Sequence, residues 1–590
     1  MLPQFTTVAE AIANVGKYFP ENDFVFQDLA GDETSYTFVR IETETASRGK
    51  ALQDLGLNKG DRIGLVVIEP EDFVLNFLAC LRIGVVPVPL YPPMSFGALD
   101  AYAERTGRVL ADAEARIVLV SKRLQNILWS LVDTVPSLEN LVTVESLRDS
   151  TGTPTYPEIV PEDLAFLQYT SGSTADPKGV MVTHQSLIAN ARGIIKDGLI
   201  LDPTVDKGVS WLPLYHDMGL IGFVIAPVCH GIPVVFIPTL RFIKRPNVWM
   251  ETVHRHRGTT SFGPNFAYAL AARKARASDL EKWDLSCLRI LGCGAEPIQP
   301  ETMRAFTQLF ADSCDLPETA IMPAYGMAEA TLAISLKTAP QHFKTVVCDA
   351  EIFQENGLVE APTGDESAIL EHVGCGVPFK GHEVVVMDDG GNILGDDREG
   401  ELCVRGPSVT PGYFNNPEAT AAAFRDGWLH TGDLGFLHDG QVYITGRLKD
   451  LIIVNGRNVH PQSVEWAAAD VEGVRKGNVV AFSRPGPSGE ELIVVCETHG
   501  VEDKEALRQN VKRQVQRDLS LSAAEILFLE RGSLPKTSSG KLQRRKTRQQ
   551  YLTGKLGSTG TRTMGAAGNR RTIAKHVAKS LWTRAKSTIR

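Results

Sequence analysis

The segment Tyr169-Thr-Ser-Gly-Ser-Thr-Ala-Asp-Pro-Lys-Gly-Val-Met-Val-Thr-His184 gathers hydroxyls, glycine and one lysine into a short stretch. Small side chains let backbone N–H groups and hydroxyls come close to phosphate oxygens, and Lys178 adds a point charge for them. The order excludes a Walker A loop, because Pro177 stands where that motif has glycine before its lysine and Gly179 where it has serine or threonine. By itself the cluster is equally compatible with a polar turn between strand and helix. Its meaning depends on what accompanies it.

Six further segments follow in order: Trp211-Leu-Pro-Leu-Tyr-His-Asp-Met-Gly-Leu220, Gly292-Cys-Gly-Ala-Glu-Pro297, Tyr325-Gly-Met-Ala-Glu-Ala330, Gly427-Trp-Leu-His-Thr-Gly-Asp-Leu-Gly435, Gly446-Arg-Leu-Lys-Asp450 and Leu534-Pro-Lys-Thr-Ser-Ser-Gly-Lys-Leu542. Together the seven resemble the adenylate-forming superfamily of acyl-CoA synthetases, luciferases and nonribosomal adenylation domains, from about Thr7 to Gln550. The wording PLYPP, LPLYHDMGL and YGMAEATL is similar to that of the fatty acyl-AMP ligases.

The resemblance implies ATP-dependent conversion of a fatty acid to acyl-AMP, with Mg²⁺ as cofactor. Attack of a carboxylate on the α-phosphate brings two anions together, which demands cations and a metal. Lys178 and Lys541 are side chains of the required kind. By resemblance, Lys541 comes from a small domain to bridge acyl carboxylate and α-phosphate, while Thr170, Ser171, Gly172, Ser173, Thr174 and Lys178 cradle the pyrophosphate end. Glu329 and Thr174 match metal-holding positions. Tyr325 matches the ring that stacks on adenine, followed by Gly326, Met327 and Ala328, and Gly294, Ala295 and Glu296 match the strand-end backbone beside it. Asp433 matches the ribose carboxylate, whose two acceptor oxygens suit a vicinal diol. Arg447 matches a basic residue near ribose and phosphate, and His216 a position at the mouth of the acyl pocket. Lys449 and Asp450 match the hinge on which the small domain swings.

Such residues need a large frame to position them. From Tyr36 helical stretches alternate with short apolar runs: Phe38 to Leu57, Arg62 to Ile68, Asp72 to Ile83 and Val85 to Leu90, then Ile117 to Val120, Val234 to Ile237 and Leu288 to Leu291. This predicts an α/β fold of parallel sheets covered by helices. In the helix at 72–83, Phe73, Phe77, Leu78 and Leu81 share one face. After Gly374 shorter strands (Glu383 to Met387, Glu401 to Arg405, Gln441 to Ile444) predict a β-rich subdomain. The expected division is a large N-terminal domain over 1–446, with an insertion at about 337–373, and a small, mobile α+β domain over 447–550. The small domain should hold strands near 478–482 and 491–497 and a helix at 504–519.

A chain of 590 residues exceeds what one core supports. Nine scattered cysteines without a C-x-x-C pair suggest neither disulfides nor zinc, and fit a reducing cytoplasm. No leader-like N-terminus and no apolar run of eighteen residues is present, which disfavours secretion and membrane spanning. The net charge of −9 hides a basic tail: residues 551–590 hold nine Lys and Arg and no acid. Within it, 571–590 has the pattern of a basic amphipathic helix, suited to weak peripheral contact with an anionic membrane or to an acidic carrier protein.

The preferred reading is a stand-alone fatty acyl-AMP ligase serving the phosphopantetheine thiol of an acyl carrier protein in trans, because no G-x-D-S-L-type carrier signature is present. No nucleic-acid partner is expected. The long interval from Lys337 to Val373 resembles the insertion that restrains the small domain in that branch, and its alternating runs predict strand. The alternative is a fatty acyl-CoA synthetase. A nonribosomal amino-acid activator would use a buried acid, for which Asp217 is available, and an idle scaffold is opposed by the joint presence of Lys178, Glu329, Asp433 and Lys541.

Overall fold

The computed structural model describes residues 4–93, 99–170, 177–364, 368–454, 457–486, 489–537 and 540–557. Its first sheet is wholly parallel, in the order Val86–Pro89, Arg62–Val66, Ile117–Val120, Asn140–Thr143. Ile63 to Val66 and Ile117 to Val120 are buried on both faces, which is why they read as continuous apolar runs and not as alternations. The larger sheet has nine strands. Six central ones are parallel (Ile321–Gly326, Ile290–Cys293, Thr260–Gly263, Gly208–Ser210, Val234–Phe236, Asp23–Gln27), with antiparallel strands at both edges. The strand expected at 288–291 lies two residues later, since Leu288 N–H turns back to the Leu285 carbonyl.

The helix Pro70–Arg82 departs from the expected single apolar face. Every residue from Asp72 to Arg82 is buried, because helices Val8–Tyr18 and Phe38–Asp54 and strands of both sheets enclose it. Its charged residues therefore meet partners from other elements. Asp72 contacts Arg148 Nη2 at 2.5 Å and Arg48 Nη1 at 3.4 Å, and Arg82 donates to Thr45 Oγ1 at 3.1 Å and to the Tyr156 hydroxyl at 2.9 Å.

The β-rich part is a five-stranded antiparallel sheet built on Glu383–Met387, Gly400–Arg405, Trp428–His438 and Gln441–Arg447, with Phe424–Arg425 at its edge. Strands 428–438 and 441–447 reverse over Asp439-Gly440, both at positive φ (50° and 71°), the two-residue turn that matches strand twist. A bulge between Leu434 and Gly435 shifts the register set by this turn by one residue and so places Asp433 opposite Arg447. Within the insertion, Thr345–Asp349 pairs with Ile369–Val373, and the helix Ala350–Asn356 follows the first strand.

Beyond the hinge, strands Val474–Gly486, Gly489–Thr498 and Glu525–Leu529 form a sheet against helices Pro461–Ala469 and Lys504–Leu519. Leu507, Val511, Val515 and Leu519, four residues apart, supply the buried stripe of the longer helix. The last described helix, Arg544–Leu552, brings Tyr551 back onto this unit, where its hydroxyl donates to Glu525 at 2.6 Å. The amphipathic stretch expected over 571–590 lies outside the described residues. Among the described residues no helix is long and apolar enough to cross a membrane.

Removing one partner from a buried ion pair leaves an uncompensated charge, at a cost of about 3–5 kcal/mol. Asp72→Ala, which leaves the 1% exposed Arg48 with only the 3.8 Å contact to Glu44, should lower the urea midpoint more than Arg148→Ala, whose side chain is 46% exposed and whose loss leaves Asp72 paired with Arg48. Equal shifts in the two unfolding curves would show that the burial of Arg48 does not decide the cost.

Candidate active site

The hydroxyl-rich motif forms an antiparallel hairpin, Leu164–Thr170 with Lys178–Thr183, that ends with Thr170 opposite Lys178. Val180 and Val182 fix one face in the core. Gly179 is required by the neighbouring strand, since a Cβ there would lie 2.7 Å from the Tyr169 ring. The turn itself, with Ser171, Gly172, Ser173 and Thr174, lies outside the described residues. Lys178 places its ammonium 4.8 Å from the centre of the Tyr413 ring.

The nucleoside motifs stand at the carboxyl ends of adjacent parallel strands, where open α/β sheets bind ligands. Gly294, Ala295 and Glu296 follow strand Ile290–Cys293, with Ala295 at φ 68°. Tyr325 and Gly326 end strand Ile321–Gly326, and a Cβ on Gly326 would lie 1.9 Å from the Leu332 carbonyl oxygen. Met327 and Ala328 lead into the single turn Ala328–Ala330 that carries Glu329. The Tyr325 hydroxyl donates to Asp433 Oδ2 at 2.9 Å, and Arg447 Nε lies 3.1 Å from Asp433 Oδ1. Burial raises the pKa of Asp433, and the Arg447 guanidinium opposes the rise.

Glu329 accepts a hydrogen bond from the Tyr413 hydroxyl at Oε1 (2.8 Å), and its backbone carbonyl accepts from Thr410 N–H (2.9 Å) and Oγ1 (3.0 Å). Burial pushes this carboxyl upward as well. His216 Nδ1 lies 2.5 Å from Asp217 Oδ1. Burial tends to raise the Asp217 pKa, but His216 and then Lys541 outweigh it, so this carboxyl is held low. Glu296 accepts from Phe266 N–H at 2.7 Å and thereby caps the helix Asn265–Lys274.

Lys541 reaches this cleft from the small unit. Thr537 and Lys541 exchange two bonds, Thr537 N–H to the Lys541 carbonyl (2.8 Å) and Lys541 N–H to Thr537 Oγ1 (3.0 Å), and Gly540 turns at φ 92° between them. Burial lowers the pKa of its ammonium, while Glu296, Asp217 and Asp433 act to keep it charged.

Lys449 and Asp450, the expected hinge positions, lie in the turn Leu448–Asp450. Lys449 is exposed, whereas Asp450 lies 3.6 Å from Arg544 Nη1 and 3.8 Å from Arg545 Nε. Arg544 also makes two 2.7 Å bonds to Glu465. It thus ties hinge, helix Pro461–Ala469 and the Lys541 loop together. Sequence reading missed Arg544 and Tyr413. The first sits in the basic run Lys541-Leu-Gln-Arg-Arg-Lys546, which resembles a solvated face, and the second in Pro411-Gly-Tyr-Phe-Asn-Asn-Pro417, which resembles a plain turn.

The insertion touches both units. Glu371 pairs with Arg304 of the large unit, Glu351 lies 3.9 Å from Arg457 of the small one, and Cys348, Phe353 and Leu370 share one apolar cluster with Phe436, Tyr443, Val454, Val459 and Val464.

A lysine carried by one unit into a strand-end cleft of carboxylates and glycine turns in another is the arrangement of adenylate-forming enzymes. The family model described as AMP-binding enzyme matches residues 13–414. A Caulobacter vibrioides protein provisionally named acyl-CoA synthetase is 36% identical over 88% of this chain and 91% of its own length. The medium-chain-fatty-acid–[acyl-carrier-protein] ligase JamA of Moorena producens is 32% identical over 85% of this chain and 87% of its own. A structure from work on fatty acyl-adenylate ligases of E. coli and L. pneumophila superposes with a TM-score of 0.87 at 32% identity, covering 94% of this chain and 99% of that one. The chain belongs to the AMP-binding enzyme family, within the adenylate-forming superfamily, and to its fatty acyl-AMP ligase branch.

Loss of one preorganised charge from a transition state costs about 10²–10³ in rate. Lys541→Ala should show that loss in fatty-acid-dependent pyrophosphate release while binding ATP nearly as before; an unchanged rate in the folded variant would remove Lys541 from the reaction. Arg544→Ala leaves Lys541 in place but unties its loop, and misplacement of this kind costs up to about 10²-fold. Its kcat should fall with little change in the KM for ATP, and full activity would make the Asp450–Arg544–Glu465 contact incidental.

Proposed function

We propose that this chain adenylates a fatty acid with ATP and Mg²⁺ and delivers the acyl group to the phosphopantetheine thiol of an acyl carrier protein acting in trans. The observation that carries the reading is the placement of Lys541 of the small unit among Glu296, Asp217 and Asp433 of the large one. In the first step a carboxylate oxygen attacks the α-phosphorus, the bond to the pyrophosphate oxygen breaks, and acyl-AMP and pyrophosphate form. Lys541 sits between the two anions, Lys178 faces the phosphate side, and Asp433 accepts the ribose hydroxyls. Asp217, its carboxyl held low by His216 and Lys541, stays charged near the mouth of the acyl site.

Glu329 fits a magnesium ligand: it is a carboxylate in the cleft, one oxygen is oriented by Tyr413, and magnesium takes one or two carboxylates together with substrate phosphates. The ion supplies charge neutralisation at the phosphate oxygens. In the second step a thiolate attacks the acyl carbonyl, the C–O bond to the phosphate breaks, and AMP leaves.

The ligase JamA supports a carrier protein as acceptor, and the insertion's contacts with both units support restraint of the pose that would admit free CoA. The acyl-CoA synthetase reading draws its support from the Caulobacter relative. Mass detection of products from ATP, Mg²⁺ and mixed fatty acids, with CoA or with a phosphopantetheinylated carrier, separates the two. Acyl-AMP and acyl-carrier should form with little acyl-CoA, and efficient acyl-CoA formation would establish the alternative. Thr345 and Val373 are cross-strand partners, so residues 345–373 can be replaced by a short linker. The shortened protein should raise the ratio of acyl-CoA to released acyl-AMP, and an unchanged ratio would shift the exclusion of CoA from the insertion to the thiol site.

A further inference from the structure

Tyr413 belongs to none of the motifs that carry chemistry, yet it stands between two residues that do. Its hydroxyl donates to Glu329 Oε1 at 2.8 Å, and the Lys178 ammonium lies 4.8 Å from the centre of its ring. An aromatic ring can serve both at once, since its face attracts a cation and its phenol donates to an anion. The ring is itself 8% exposed and cannot swing freely.

The backbone around Tyr413 is joined to both sides of the phosphate end. Thr410 bonds the Glu329 carbonyl through N–H and Oγ1, Phe414 N–H donates to the Gly179 carbonyl at 2.8 Å, and Met181 N–H donates to the Gly412 carbonyl at 3.0 Å. Tyr413 N–H donates to Thr420 Oγ1 at 2.9 Å. Gly412, at φ 135°, has no room for a Cβ, which would fall 2.4 Å from Thr420. Residues 410–414 are thus a strap from the β-rich subdomain that couples the glutamate turn to the lysine hairpin.

A lysine and a carboxylate on either side of one ring would neutralise each other if they met, and each would then have to be freed before phosphate or metal could use it. Among the described residues Lys178 and Glu329 form no ion pair; Tyr413 contacts both. The phenol O–H is placed as the donor of this contact, with Glu329 Oε1 as the acceptor.

We propose that Tyr413 is a positioning residue for adenylation, holding Lys178 and Glu329 apart and aimed so that the phosphate finds a free ammonium and the metal a free, oriented carboxylate oxygen. This rests on the adenylation reading above. The test uses the full-length protein and titrates a fluorescent ATP analogue in EDTA and in excess Mg²⁺, for wild type, Tyr413→Phe and Tyr413→Leu. Loss of a hydrogen bond that orients a metal-binding carboxylate typically costs about 10–100-fold in metal-linked affinity. Tyr413→Phe should therefore bind nucleotide normally in EDTA but lose about tenfold or more of the gain that Mg²⁺ gives. Tyr413→Leu, which also removes the ring face, should weaken binding in EDTA by about threefold or more.

Wild-type affinities in both buffers for Tyr413→Phe would overturn the assignment, as would equal losses in both buffers with a lowered Tm, the mark of a merely structural tyrosine. If Tyr413→Leu does not fold, the Phe variant decides alone. A wild-type protein that bound no nucleotide in either buffer would instead overturn the adenylation reading itself, and the spacer with it.

Discussion

Two anions must meet in this cleft, and the cations that permit it have to be kept from the carboxylates that line it. Asp217, Glu296, Glu329 and Asp433 surround a space that also holds Lys178, Arg447 and Lys541. Left to themselves these charges would collapse into pairs. Each carboxylate is instead given a partner of its own: His216 for Asp217, the Phe266 N–H for Glu296, Tyr413 for Glu329, and Tyr325 with Arg447 for Asp433. Lys178 and Lys541 are left without a close ion pair among the described residues, which is the condition for meeting a substrate. A low-dielectric cleft strengthens what these charges do and equally penalises any that is left without a counterpart.

The division into two units follows from the same constraint. A lysine fixed permanently beside Glu296 and Asp217 would obstruct entry of the substrate, whereas one carried on a separate unit can arrive after it. Arg544, three positions after the lysine, contacts both Asp450 and the helix residue Glu465. The loop that bears Lys541 is therefore set by the same contact that sets the hinge.

The strands were legible from their apolar runs, continuous in Ile117–Val120, which is buried on both faces, and alternately buried in Glu383–Met387, and both stand where those runs predict them. The helix Pro70–Arg82 was only half legible. Its apolar face was visible in the spacing, but the burial of Asp72 depends on arginines contributed by residues 48 and 148, far away in the chain. At the site, residues in long ordered motifs could be named from the sequence, and the structure draws Lys541, Asp217, Glu296, Asp433, Arg447 and Tyr325 together. Tyr413 and Arg544 could not. A tyrosine in a Gly-Asn-Pro turn and an arginine in a basic run acquire their roles only from what the fold sets opposite them.

The apolar cluster that joins the insertion to the small unit bears on how that unit moves. The ion pairs Glu351–Arg457 and Arg304–Glu371 are partly solvated, and such pairs contribute about 0–1 kcal/mol each. Covering a side chain such as Phe353 or Phe436 contributes about 1.5–3 kcal/mol. The latch is thus mainly one of wetting, and its strength follows water more than salt. Hydrophobic association weakens on cooling, so the hold of the insertion on the small unit is graded by temperature, firmer in warmth and slacker in the cold.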